Sequence, residues 1–89
     1  MPSIELPITN KVGLHARPAA LFVQEANKYK SSILVKNGEK EVNAKSILGV
    51  LTLGANKGCV LNVTAEGEDA EAALEALKAL HANNFGEAE

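Results

Sequence analysis

Tryptophan is absent from this chain, and one tyrosine and two phenylalanines are its only aromatic residues. That leaves no platform on which nucleotide bases could stack. Positive charge is not in excess either: nine Lys and Arg against eleven Asp and Glu give a net charge of −2. Without a basic field to neutralise phosphates along a polymer, direct nucleic-acid binding is not expected. A single cysteine, Cys59, excludes an internal disulfide and lacks the second thiol of a metal motif, so packing accounts for it and a reducing compartment suits it. No apolar run approaches the ~20 residues of a membrane span. The first residues, with Pro2, Glu5 and Pro7, do not make a basic stretch followed by an apolar one. A cytoplasmic protein with no membrane insertion is expected, and no metal or cofactor.

What is present suits one domain over residues 1–89, long enough for a modest core. "SIELPIT" alternates Ile4, Leu6 and Ile8 with less apolar neighbours and predicts a strand, which Pro7 assigns to a sheet edge. Ala19, Phe22, Val23 and Ala26 recur at helical spacing to about Lys28. "SILVK" and "KEVNA" flank Asn37-Gly38, a pair that tolerates the positive φ of a tight hairpin. Ser46 opens a short helix to about Leu53, ended by Gly54, with "GANKG" as a loop. "CVLNVTA" is a fourth strand. Gly67 to Asp69 predict a turn and cap before Ala70, Ala73, Leu74, Leu77 and Leu80, a one-sided helix that ends near Asn83 and Asn84; the closing "GEAE" is expected to fray. The order βαββαβα is an α+β pattern. Its apolar stripes are best buried as an open-faced two-layer sandwich, a four-stranded antiparallel sheet with three helices on one face.

"GLHARPAA", residues 13–20, sets His15 at the junction of an extended segment and the first helix. The backbone N–H groups of Ala16 and Arg17 then fall among the orphan donors of the first turn, which attract anions. Pro18 lacks an N–H where no intrahelical partner exists. Arg17 adds a permanent fork of donors that matches phosphate oxygens. The positive helix end and Arg17 both disfavour imidazolium, so His15 is expected to be more readily neutral, with a lone pair for an electrophile, and the same field would stabilise a phosphoryl group once attached. The residues alone admit a second reading, in which His15 caps the helix and Arg17 is a solvated charge.

The second helix carries its own signal. At about 100° per residue, Ile47, Leu48 and Leu51 share one sector, and Val50 and Leu53 another. If Val50 and Leu53 face the sheet, the other three form an exposed apolar patch of the kind found at protein interfaces. A helix buried on most sides is the alternative. Ser46 is explained by capping alone, although a phosphate there would add charge at a helix N-terminus and beside Ile47. His81 has no Cys or second His at ligand spacing and reads as a partly packed helix residue. "GEDAEAALEAL" supplies a solvated acidic face, and "GANKG" lacks the spacing and hydroxyl of a nucleotide-binding loop.

"GLHARPAA", followed at the expected distance by "AKSILGVLTLGANKG" and "AEGEDAEAALEAL", resembles the HPr family, the histidine-containing phosphocarriers of the phosphoenolpyruvate-dependent phosphotransferase system. The likeness spans nearly the whole chain. It implies that His15 accepts phosphate at Nδ1 from phosphorylated enzyme I and passes it to enzyme IIA domains in sugar uptake. It also implies that Arg17 and the Ala16 N–H steady the phosphoryl group, and that Ile47, Leu48 and Leu51 dock partners. Ser46 matches the serine that a dedicated kinase and phosphorylase modify in many Gram-positive bacteria, where a catabolite-control transcription regulator is a further partner. Leu48, where Met or Phe is frequent, and Cys59 depart from the pattern. A monomer is expected. The alternative is a regulatory HPr-like module, in the nitrogen-related branch or with a transcription regulator, that acts by binding alone.

Overall fold

A computed structural model describes residues 2–8, 16–54 and 58–83. Its elements are β1 (Ser3–Pro7), α1 (Ala16–Ala26), β2 (Ser32–Asn37), β3 (Lys40–Asn43), α2 (Ile47–Leu51), β4 (Val60–Glu66) and α3 (Ala70–Ala82). Every strand pair is antiparallel and the order across the sheet is β1-β4-β2-β3. β1 is thus an edge strand, where Pro7 costs the ladder no hydrogen bond.

Alternation along the strands sets the two faces. Leu6, Ile33, Val35, Leu61, Val63 and Ala65 point inward and are buried. They meet Ala19, Phe22, Val23 and Ala26 of α1, Val50 of α2, and Ala73, Leu74 and Leu77 of α3 in one cluster. Each large aliphatic or aromatic side chain so buried contributes roughly 1.5–3 kcal/mol. The other face carries a polar row, Glu5 opposite Asn62, Asn62 opposite Lys36, and Lys36 opposite Glu41, together with Leu34 and the exposed Val60. Only one layer covers the sheet, as the element order predicts.

Several boundaries differ from the sequence expectation, each for a local reason. Asn37 is not a turn residue but the last of β2, paired with Lys40, so the hairpin turn is Gly38-Glu39, with Gly38 at φ +65°. Freed from the turn, the Asn37 amide donates to the Leu53 carbonyl at 2.9 Å. α1 stops at Ala26 and not near Lys28, because the next turn tightens through Lys28 N–H to Glu25 O and Tyr29 N–H to Ala26 O. β3 ends at Asn43, although Ala44 still donates to Ile33 O. α2 ends at Leu51 with Thr52 as its C-cap, and Leu53 is buried in the turn before Gly54, whose φ is +65°. β4 starts at Val60 and not Cys59, since Gly58 and Cys59 together oppose Ile8. Gly58 N–H donates to Ile8 O at 2.8 Å, and Ile8 N–H to Cys59 O at 2.7 Å. With Gly58 at φ +98° this is a glycine-first β-bulge.

Asp69 is the clearest departure. It occupies the N-cap position of α3 but makes no side-chain bond to that helix. Its carboxylate instead accepts from Lys30 N–H and Ser31 N–H, each at 2.9 Å, and from the Ser31 hydroxyl. Gly67, at φ +145°, packs against Ser31 so closely that a Cβ would lie 2.8 Å from the Ser31 Cα. The expected helix cap is thus a latch between the α1–β2 and β4–α3 corners.

Candidate functional site

The fold presents the first turn of α1 to solvent. Ala16 and Arg17 are exposed, while Pro18 and Ala19, one step further on, are buried and anchor the turn. No acidic side chain lies in this first turn to compete with an anion for its N–H groups. His15 immediately precedes Ala16 in the chain and lies outside the described residues, as do the middle of "GANKG", Asn84 and "GEAE".

α2 packs beside α1, and the connection between them is fixed by named bonds. Asn27 Nδ2 donates to Val23 O at 2.9 Å and to Lys45 O at 3.2 Å, and Lys45 Nζ donates to Tyr29 O at 2.6 Å. Ser46, next along, is in extended conformation and caps α2: its hydroxyl accepts from Gly49 N–H at 3.1 Å. This is the cap that the sequence predicts. The sector argument for α2 also matches the structure. Val50 and Leu53 are 1% and 5% exposed, against 38% for Ile47, 73% for Leu48 and 41% for Leu51. Three apolar side chains therefore face solvent on the helix adjoining α1, an arrangement suited to a transient protein contact.

His81 is half-buried on α3, and its Nε2 lies 2.5 Å from the Pro7 carbonyl. Among the described residues no group of three His, Cys, Asp or Glu could hold a metal ion, and no helix is long and apolar enough to cross a membrane. Sequence reasoning missed the Asp69–Ser31 latch, the Lys45–Tyr29 bond and the His81–Pro7 bond. The first and last join residues 38 and 74 positions apart, and no local pattern encodes such partners.

Residues 2–83 match the family described as "PTS HPr component phosphorylation site". The chain belongs to the HPr family. It is 47% identical over 83 residues to the phosphocarrier protein HPr of Xylella fastidiosa, which covers 93% of each chain. The structure of HPr-C-His from Thermoanaerobacter tengcongensis superposes with a TM-score of 0.94 at 50% identity, covering both chains completely. Crh of Bacillus subtilis, a catabolite-repression protein solved as a dimer with a swapped domain, is similar at a TM-score of 0.73 and 43% identity, over 93% of this chain and 95% of that one. A phosphocarrier role in the phosphotransferase system goes with HPr membership, and the open-faced sandwich is the HPr fold.

Proposed function

We propose that this chain relays a phosphoryl group from phosphorylated enzyme I to enzyme IIA domains, with His15 as the acceptor, in cytoplasmic phosphotransferase-system sugar uptake. The observation that carries the proposal is an exposed first turn of α1 that bears Ala16 and Arg17, contains no carboxylate, and directly follows His15 in the chain. The neutral imidazole attacks phosphorus through Nδ1; the new N–P bond forms as the bond to the donor breaks. The N–H groups of the first turn and the Arg17 guanidinium receive the phosphoryl oxygens. Each charge-assisted hydrogen bond contributes about 1.5–3 kcal/mol, enough to steady a group that must also leave. Ile47, Leu48 and Leu51 dock the partner beside the site. Ser46 is a point of regulation by a serine kinase and phosphorylase, with a catabolite-control transcription regulator as a further partner. The working unit is a monomer, a single domain over residues 1–89, and needs no cofactor.

A purely regulatory reading has one observation in its favour, the likeness to Crh. His15 separates the two, because a module that only binds has no use for an acceptor imidazole. The test is to mix the protein with enzyme I, phosphoenolpyruvate and Mg²⁺ and to locate acid-labile phosphate by mass spectrometry. Label is expected on His15 and none on His15→Ala, with both proteins melting alike. Undiminished labelling of His15→Ala would remove His15 from the reaction. Arg17→Glu should slow transfer sharply at nearly unchanged thermal stability.

A further inference from the structure

The outer edge of β1 and the flank of α3 form a groove that the phosphotransfer reading leaves unused. Ile8 directs its N–H and its carbonyl toward β4, where they meet Cys59 and Gly58, and the Pro2 carbonyl accepts from Ala65 N–H. Successive residues of a strand alternate direction, so Ser3, Glu5 and Pro7 turn their backbone polar groups off the sheet, where no described strand follows. Pro7 has no N–H, and its carbonyl is met by His81 Nε2 at 2.5 Å. That end of the edge is closed. Ser3 and Glu5, both exposed, keep two N–H donors and two carbonyl acceptors open to an added strand. The first turns of α3 face Pro2, Ser3 and Ile4 across a groove of about 270 Å³, and its last turn reaches Pro7 through His81, so helix and strand run side by side. Half-buried Ile4 and buried Leu74 give the groove apolar lining, and the exposed Glu71 and Glu75 give it an acidic rim. At Pro2 and Glu71 it continues into a second hollow bordered by Glu66 and Glu68, and no Lys or Arg lines either part.

We propose that this groove takes an extended segment of a partner protein, added to the sheet as a fifth strand beside β1, in which basic side chains alternate with apolar ones. Strand addition at an open edge draws affinity from main-chain hydrogen bonds and specificity from where alternate side chains fall. Side chains of the added strand that turn to the helix layer meet Ile4 and Leu74. Those that turn to the other face lie beside Glu5, which pairs with Lys or Arg there. Glu71 and Glu75 add an attractive field along the whole segment. A second copy of this chain is a poor occupant, because two β1 edges side by side would bring two sets of Glu5, Glu71 and Glu75 together.

The probe is the capped peptide acetyl-Lys-Val-Lys-Val-Lys-amide, titrated into the millimolar range against the full chain while backbone amide signals are followed by NMR. Saturable shifts are expected at Ser3 and Glu5 and along the first turns of α3, weakening as salt is added. Glu71→Lys with Glu75→Lys should lower affinity about 5-fold or more, the upper worth of one exposed ion pair. Glu5→Gln and Glu5→Pro remove the same charge, but only proline removes the off-edge N–H, at no cost to the pairing with β4. Glu5→Pro should bind about 2- to 10-fold more weakly than Glu5→Gln, the factor one hydrogen bond's net worth converts to. Equal binding by these two variants would overturn strand addition. Should Glu5→Pro fail to fold, amide exchange in the wild type decides: slower exchange at Ser3 and Glu5 with peptide bound supports the added strand, and unchanged exchange overturns it. A peptide with Glu for Lys that binds as well, or shifts confined to another surface, also overturns the proposal. So do Ser3 and Glu5 signals that move with protein concentration alone, which would assign the edge to a second copy.

Discussion

Asp69 is a carboxylate placed where helices usually want a cap, yet it serves a different corner of the molecule. Its bond from the Ser31 hydroxyl, then that from Lys30 N–H, hold its pKa down, from the ordinary 3.8 to about 2. A depressed carboxylate pKa stabilises the fold at pH values above the ordinary one, and the contribution is lost as pH falls toward about 2. Asp69→Asn is therefore expected to melt below the wild type at neutral pH, with the gap closing through the acid range. Melting temperature against pH checks this; a gap of constant size would show that geometry, and not charge, sets the latch. Ser31 is the one buried polar residue among those described, so its satisfied hydroxyl is part of what the core tolerates.

At the scale of elements, α2 separates what folds the protein from what it shows to others. Ser46→Ala should lower stability by about 1 kcal/mol through loss of the cap. Ser46→Asp should keep or slightly raise it, since aspartate suits a helix N-terminus, yet weaken the encounter with enzyme I by setting a charge beside Ile47. Phosphotransfer rate against enzyme I concentration, with melting followed in parallel, separates the two effects. Early melting of Ser46→Asp would leave only the capping role, and wild-type kinetics would move docking away from α2. This helix was legible because its two apolar sectors, Val50 with Leu53 and Ile47 with Leu48 and Leu51, compete for one sheet. Apolar spacing, with the turn signal at Asn37-Gly38 and the cap signal at Ser46, located each strand and helix among the described residues, and the missing N–H of Pro7 placed β1 at the edge. The Asn-Gly signal misplaces the hairpin turn by one residue, because Asn37-Gly38 and Gly38-Glu39 are equally short and only strand register distinguishes them. Residue type at the helix start misassigns the Asp69 side chain, because a cap and a long-range acceptor share one residue type. At the proposed acceptor site the type and spacing of His15, Ala16 and Arg17 point to phosphoryl transfer, but a helix-cap reading fits those three residues equally well, and only the longer resemblance to the HPr family favours the first.

For the whole molecule, the single covered sheet face means that one cluster carries nearly all the apolar burial. Phe22 is its largest fully buried side chain. Phe22→Ala should cost about 3–5 kcal/mol, a large share of the roughly 5–15 kcal/mol that holds a small domain together. Loss of α1, α2 and α3 signals in one transition is the expected result in a denaturant titration, and separate transitions would show that the helices do not share one core. The strand order has a further consequence, for the time at which the fold can close. β4 lies between β1 and β2, so on a ribosome the two earlier strands have no sheet to share until residues 60–66 have been made. Before then the β2–β3 hairpin is the one strand pair that can form, and it is a marginal structure by itself. A nascent chain halted before β4 is thus two unjoined pieces. Emergence of a single seven-residue strand brings them together, and α3 follows at once to cover the seam.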